Sequence, residues 1–240
     1  MTFRNLFGNT KPVFGMLHLK GVSPSDILER AKREIGIYLD GGIHALMVEN
    51  YFGSAADCAQ VLAWLQNNLP DVMYGVNILG DAPLAFELAG KYGAKFIQID
   101  SVCGHLPPAA DEKLGRQLAQ LRAQTDVCLL GGVRFKYQAV RSGRTLEEDL
   151  RLGAQRCDAI VVTGEGTGIA TPLGKVADFR AVLGDFPLIT GAGVTAQTVA
   201  QTLACSDGVI VGSYLKDGHI DHGDVNADYV REFMAAAKQA

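Results

Sequence analysis

Short apolar runs recur along the chain, each closed by polar or glycine residues and followed by a longer stretch with apolar positions at helical spacing. The runs fall at 13–17, 45–48, 73–78, 96–99, 127–130, 159–162, 188–190 and 208–211. Most are apolar or β-branched at consecutive positions, so strands made from them bury both faces, as parallel strands do. The spacing predicts helices over 25–39, 55–68, 82–92, 110–123, 145–154, 176–183, 195–205 and 226–237. Several helices end in the same kind of junction before the next strand: Gly42-Ile43-His44-Ala45, Gly93-Ala94-Lys95-Phe96 and Arg156-Cys157-Asp158-Ala159. Tandem βα units give such repeated junctions, and eight of them predict a (β/α)₈ barrel. An open doubly wound sheet would carry its glycine-rich turn after the first strand. Here that position holds His18-Leu19-Lys20-Gly21.

The last two runs end in Gly191-Ala192-Gly193 and Gly212-Ser213. In a barrel of this kind, the loops after strands 7 and 8 commonly cradle a phosphate. Glycines let backbone N–H groups approach an anion, and a helix opening at Thr195 would add its positive N-terminal end. Gly191, Ala192, Gly193, Gly212 and Ser213 are therefore the expected phosphate-binding residues.

Length fits one domain: 240 residues, against roughly 250 for a typical α/β barrel. No linker, low-complexity tract or charge block interrupts the repeat. A net charge of −4 gives no electrostatic footprint for a nucleic-acid polymer. No apolar run approaches the roughly 20 residues of a transmembrane helix, and the opening Met1-Thr2-Phe3-Arg4-Asn5-Leu6 has no signal-peptide core. The five cysteines form no CxxC pair and read as reduced, mostly buried thiols of a cytoplasmic protein.

Chemistry is expected where strands end. The first strand presents His18 and Lys20, the second Glu49 and Asn50, the third Asn77, and the fourth Asp100. The fifth leads to Arg134 and Lys136, and the sixth to Thr163 and then Glu165 within Gly164-Glu165-Gly166-Thr167-Gly168. An acid closing an apolar strand has no packing value, which points to Glu49 and Asp100 as proton-transfer groups. His18 and Asn77 are placed to orient hydroxyls or share the proton. Lys136 is placed to offset negative charge, and Glu165 to arrive on a glycine-hinged lid. Lys20, Asn50, Arg134 and Thr163 are candidate substrate contacts. His18, Glu49 and Asp100 also offer nitrogen and oxygen ligands for a divalent ion, although nothing in the sequence requires a cofactor. His44 precedes the second strand, on the stability face, and His219 and His222 sit in a Gly/Asp-rich turn that reads as solvated.

Several motifs carry a wider resemblance: Phe14-Gly15-Met16-Leu17-His18-Leu19, Met47-Val48-Glu49-Asn50, Tyr74-Gly75-Val76-Asn77-Ile78-Leu79, Val162-Thr163-Gly164-Glu165-Gly166-Thr167-Gly168 and Asp207-Gly208-Val209-Ile210-Val211-Gly212-Ser213. Together they resemble the BtpA/SgcQ family over nearly the whole chain. The resemblance implies a TIM barrel of the ribulose-phosphate-binding type. The family name carries a role in photosystem I accumulation, while other members resemble parts of sugar-utilisation clusters. Three expectations stand. One is an enzyme of isomerase, lyase or glycosidic-bond-cleaving type acting on a phosphorylated sugar or a ribosyl or nucleoside phosphate, as a monomer or a homo-oligomer. The second is a non-catalytic assembly factor for a membrane complex. The third is a sensor that keeps the phosphate site without chemistry.

Overall fold

A computed structural model describes residues 1–239. Eight parallel strands, β1 (Val13–Leu17), β2 (Ala45–Glu49), β3 (Tyr74–Asn77), β4 (Phe96–Cys103), β5 (Cys128–Val133), β6 (Ala159–Thr163), β7 (Leu188–Gly191) and β8 (Gly208–Val211), pair in chain order. β8 then closes onto β1 through Val13–Val209, Phe14–Ile210 and Gly15–Val211. Outside them run α2 (Pro24–Asp40), α3 (Ala55–Asn68), α4 (Ala82–Tyr92), α5 (Pro108–Arg122), α6 (Leu146–Arg156), α7 (Leu173–Leu183), α8 (Val199–Cys205) and α9 (Ala227–Ala237). The fold is thus the (β/α)₈ barrel that the apolar periodicity predicts.

Local chemistry starts most of these helices. Ser23 caps α2, Asp81 caps α4, and Ser54 with Asp57 and Thr145 with Glu148 form capping boxes on α3 and α6. The strands separate one apolar run into two cores, because alternate side chains face opposite ways. Val13, Leu17, Leu46, Val48 and Ile97 pack outward against helices. Phe14, Met16, Met47, Phe96, Leu130, Val161, Ile189 and Ile210 fill the interior.

Two elements depart from the sequence expectation. Helix α8 starts at Val199 rather than Thr195. The Thr195 amide bonds to the Thr198 hydroxyl at 3.0 Å, and the Thr198 amide returns to the Thr195 carbonyl at 3.1 Å, so a turn replaces the first helical turn. A short helix α1 (Phe3–Phe7), capped by Thr2, lies ahead of the barrel. Its Phe3, Leu6 and Phe7 join the interior core, with Phe7 edge-on to Phe14 at 5.4 Å. The opening stretch, which the sequence reading leaves without an element, is a stopper under the barrel floor. Phe3→Ala is expected to lower the unfolding free energy by about 3 kcal/mol in urea titration, the usual size for a buried phenylalanine. A loss below about 1 kcal/mol would show that the stopper contributes little.

Candidate functional site

Interior alternation decides which polar groups reach the mouth. On four of the strands an apolar inward residue is followed, two positions on, by a polar one: Met16 by His18, Met47 by Glu49, Val161 by Thr163, and Phe96 by Gln98 and then Asp100. These polar positions line or flank a cavity of about 410 Å³ at the C-terminal ends of the strands. That volume lies in the ordinary range for small-molecule sites, ~300–1,000 Å³.

Glu49 is the most confined acid there, at 6% exposure. Asn77 donates from Nδ2 to Glu49 Oε1 at 2.7 Å and to Asp100 Oδ1 at 3.1 Å, bridging the two acids. Burial, reinforced by the charge of Asp100, pushes the Glu49 carboxyl up to about 7. A carboxyl in that range is divided between its acid and base forms near neutral pH.

His18 Nε2 stands 3.7 Å from Glu49 Oε2. Its Nδ1 faces the Asp221 carbonyl at 3.0 Å. A carbonyl only accepts, so the ring proton belongs on Nδ1 and Nε2 carries a lone pair toward Glu49. Burial, and then the Lys216 ammonium, hold the imidazole down to about 3, so it stays neutral. Tyr51 stacks on it with ring centroids 4.7 Å apart.

Asp100 sits where β4 shifts register between Ile99 and Cys103. Gly132 makes this bulge possible, because a Cβ there would lie 1.9 Å from the Asp100 carbonyl oxygen. Gln98 donates from Nε2 to Asp100 Oδ1 at 3.1 Å.

Across the barrel, Gly191, Ala192, Gly193, Gly212 and Ser213 all line the same cavity. Ala192 and Gly193 take φ of +67° and +64°. The amides of Gly193, Val194, Ser213 and Tyr214 donate to no acceptor among the described residues. Free amides in such a turn make an anion-binding concavity. With α8 starting late and only a 3₁₀ turn at Ser213–Leu215, the donors facing this turn are loop amides, and no long helix begins at the site.

The loop after β6 crosses the mouth. Thr167 accepts from Lys136 Nζ at 3.0 Å and from the Tyr51 hydroxyl at 3.4 Å, and its amide donates to the Tyr137 hydroxyl at 2.7 Å. Thr167, rather than Glu165, is the residue this loop turns inward. Glu165 is exposed and is not part of the cavity wall. Thr163 lines the cavity and accepts the Lys136 amide at 3.0 Å.

Three other candidate contacts are not brought to the cavity. Lys20 donates to the His222 carbonyl and pairs with Asp224 at 2.7 Å. Asn50 Oδ1 holds the Leu79 amide at 2.8 Å. Arg134 pairs with buried Asp149 at 2.9 Å and donates to the Arg144 carbonyl at 2.8 Å. Each fixes a loop. His44, at the far end, accepts the Val13 amide at 3.1 Å. No group of three or more His, Cys, Asp or Glu placed to hold a metal ion occurs among the described residues.

The sequence reading does not assign Gln98, Lys216 or His219 to the site. Gln98 was legible, since it alternates with Phe96 and Asp100. Lys216 was not: it lies beyond β8 in a polar stretch, yet it is 1% exposed with Nζ 3.2 Å from the Asp221 carbonyl. Burial lowers its ammonium to about 8. His219, expected in a solvated turn, is exposed but lines the cavity mouth between the rings of Tyr214 and Tyr229, at 4.5 and 4.4 Å.

Comparison with known proteins bears on this site. The model of the BtpA family matches residues 9–239. An uncharacterised protein of Archaeoglobus fulgidus is 30% identical, covering 95% of this chain and 99% of its own. The photosystem I biogenesis protein BtpA of Synechocystis is 28% identical, covering 92% and 84%. Among solved structures, native KDPGal superposes with a TM-score of 0.65 at 15% identity, covering 95% of each chain. Phosphoribosyl anthranilate isomerase from Thermotoga maritima superposes with 0.61 at 15% identity, covering 96% and 100%. At such identity the structural likeness establishes the barrel alone.

Proposed function

This chain belongs to the BtpA family, and from that premise we propose that it is an enzyme acting by acid–base catalysis on a phosphorylated sugar-type molecule. One observation carries the reading: two acids bridged by Asn77, one of them shifted to about 7, share a cavity with loop amides that have no protein acceptor. A group with pKa near the working pH transfers protons most effectively in both directions. Phosphate held at Gly193, Val194 and Ser213 would direct the sugar carbons toward Glu49 and Asp100. Glu49 takes or returns the proton. Neutral His18 accepts a hydrogen bond from a substrate hydroxyl at Nε2 and so orients it, and Asp100 stabilises developing positive charge or serves as the second acid–base group. Lys136 offsets negative charge developing on a substrate oxygen. Isomerisation, aldol-type cleavage and glycosidic-bond cleavage all use such a set.

The Thermotoga neighbour's name, an isomerase of a phosphoribosyl compound, agrees with a phosphate-bearing substrate on this scaffold. The test is thermal denaturation with millimolar inorganic phosphate, ribose 5-phosphate and sulfate. The expected result is a Tm rise that grows with ligand concentration by mass action and is absent in Gly212→Val. No rise with any of the three removes the phosphate site from the reading.

A second reading has its own observation. Val22, Phe52, Val140, Ile169 and Ile220 are exposed apolar residues on the loops that follow the strands, side chains that a docking surface for another protein would use. The Synechocystis relative's name suits such a role. No helix of the described residues is long and apolar enough to cross a membrane. Loss of the Glu49 carboxylate would leave docking intact and remove catalysis, so the two roles separate.

A further inference from the structure

Gln98 holds a polar group that the chemistry above does not use. Its Nε2 donates to Asp100 Oδ1 at 3.1 Å. A carboxylate oxygen accepts, so the amide nitrogen faces Asp100 and Oε1 is the free end. That Oε1 is buried with no hydrogen-bond partner, on a side chain only 5% exposed in the cavity wall. A buried acceptor left unpaired costs roughly 1–3 kcal/mol, and a ligand donor would recover it.

The rest of the cavity says what kind of ligand brings that donor. β4 stands opposite β8 in a closed barrel of eight strands in sequential order. The free amides after β7 and β8 and the Gln98 side chain therefore stand on opposite sides of the barrel. Between them the lining is apolar at Met16, Phe135, Val161 and Ile210, with the polar groups of His18, Glu49, Asp100, Lys136 and Thr163 on the rest of the wall. A sugar hydroxyl turned toward the four apolar side chains would find no partner there. A flat ring buries well there, and Tyr137 and Tyr214 at the same cavity offer faces for stacking.

We propose that the ligand is a ribosyl-type phosphate carrying a planar nitrogenous ring, and that Gln98 Oε1 accepts an N–H of that ring. The inference rests on the phosphate reading above and goes further by naming the group at the other end. It makes Gln98 a specificity-determining residue, one that selects for a nitrogen donor and against rings lacking it.

The experiment measures affinity by calorimetry for inorganic phosphate, ribose 5-phosphate and the ribonucleoside 5′-monophosphates of adenine, guanine, uracil and cytosine. Purine riboside 5′-monophosphate, which lacks the exocyclic amine of adenine, completes the panel. At least one ring-bearing monophosphate is expected to bind ten-fold or more tightly than ribose 5-phosphate. Gln98→Leu should remove most of that advantage and leave ribose 5-phosphate affinity within about two-fold. If adenine is the preferred ring, purine riboside 5′-monophosphate should bind Gln98→Leu and the parent protein alike. Gln98→Met serves as a second variant should leucine pack badly. Equal affinity for ribose 5-phosphate and every ring-bearing ligand overturns the inference and leaves the phosphate reading standing. So does an unchanged preference in the Gln98 variants. Absence of binding by any phosphate overturns both.

Discussion

Glu49→Gln is expected to cut turnover of the phosphorylated substrate by about 10²–10⁴-fold, the usual contribution of a positioned proton-transfer group, while making the protein more stable above neutral pH. Glutamine keeps the shape and can still accept from Asn77, which holds Glu49 Oε1 at 2.7 Å. It removes the charge. The stability sign follows from the carboxyl's shift up to about 7 from its ordinary 4.5. Between those values the folded chain keeps a proton that the unfolded chain has released. Stability therefore falls as pH rises through that window, and the loss is complete above about 7. A displacement of this size corresponds to about 3 kcal/mol. At pH 8 the variant should be more stable by up to that amount, and at pH 4 the two should match. His18, held down to about 3 from 6.5, acts oppositely: stability rises with pH between those values, in both proteins. Urea titrations from pH 4 to 9, beside turnover assays, read both effects. Full activity in the variant ends the acid–base assignment, and identical pH–stability curves end the claim that burial raises the carboxyl.

The second large effect is at the anion cradle. Gly193→Ala is expected to weaken phosphate-ligand binding about a hundred-fold or more. At φ +64° any side chain is strained, and a Cβ would stand 2.3 Å from the Ala170 backbone. The variant must therefore move either its own turn or the loop that crosses the mouth. Ala192→Gly is the matched control. Ala192 already sits at φ +67°, so glycine relieves strain and should leave the cradle intact, with stability unchanged or raised by up to about 1 kcal/mol. Calorimetry with ribose 5-phosphate compares them. Equal binding by both variants would place the anion elsewhere.

The barrel was readable because parallel strands buried on both faces need unbroken apolar runs. All eight runs become strands within a few residues of their expected limits. Glu49, Asp100, His18 and Asn77 were readable for a related reason: a polar group ending an apolar strand must face the mouth. What escaped depends on contacts distant in sequence. Arg134 and Lys136 alternate in one short segment, yet Arg134 turns out to Asp149 while Lys136 turns in to Thr167. Nothing local distinguishes them. Lys216 is buried because the 217–225 segment folds back over it, with the Asp217 amide on the Asp224 carbonyl and the Asn226 amide on the Leu215 carbonyl. The early start expected for α8 failed because Thr195 and Thr198 satisfy one another instead of capping a helix.

The phenylalanine stopper of α1 also governs traffic. With Phe3 and Phe7 packed against Phe14 and Phe96 beneath the floor, the chamber is a cul-de-sac with one doorway, and Thr167 hangs across it on Tyr51, Lys136 and Tyr137. Arriving and departing molecules must use that doorway by turns. A reaction that splits its substrate would discharge the fragment nearer the doorway first, and the deeper one would inhibit competitively as it waits.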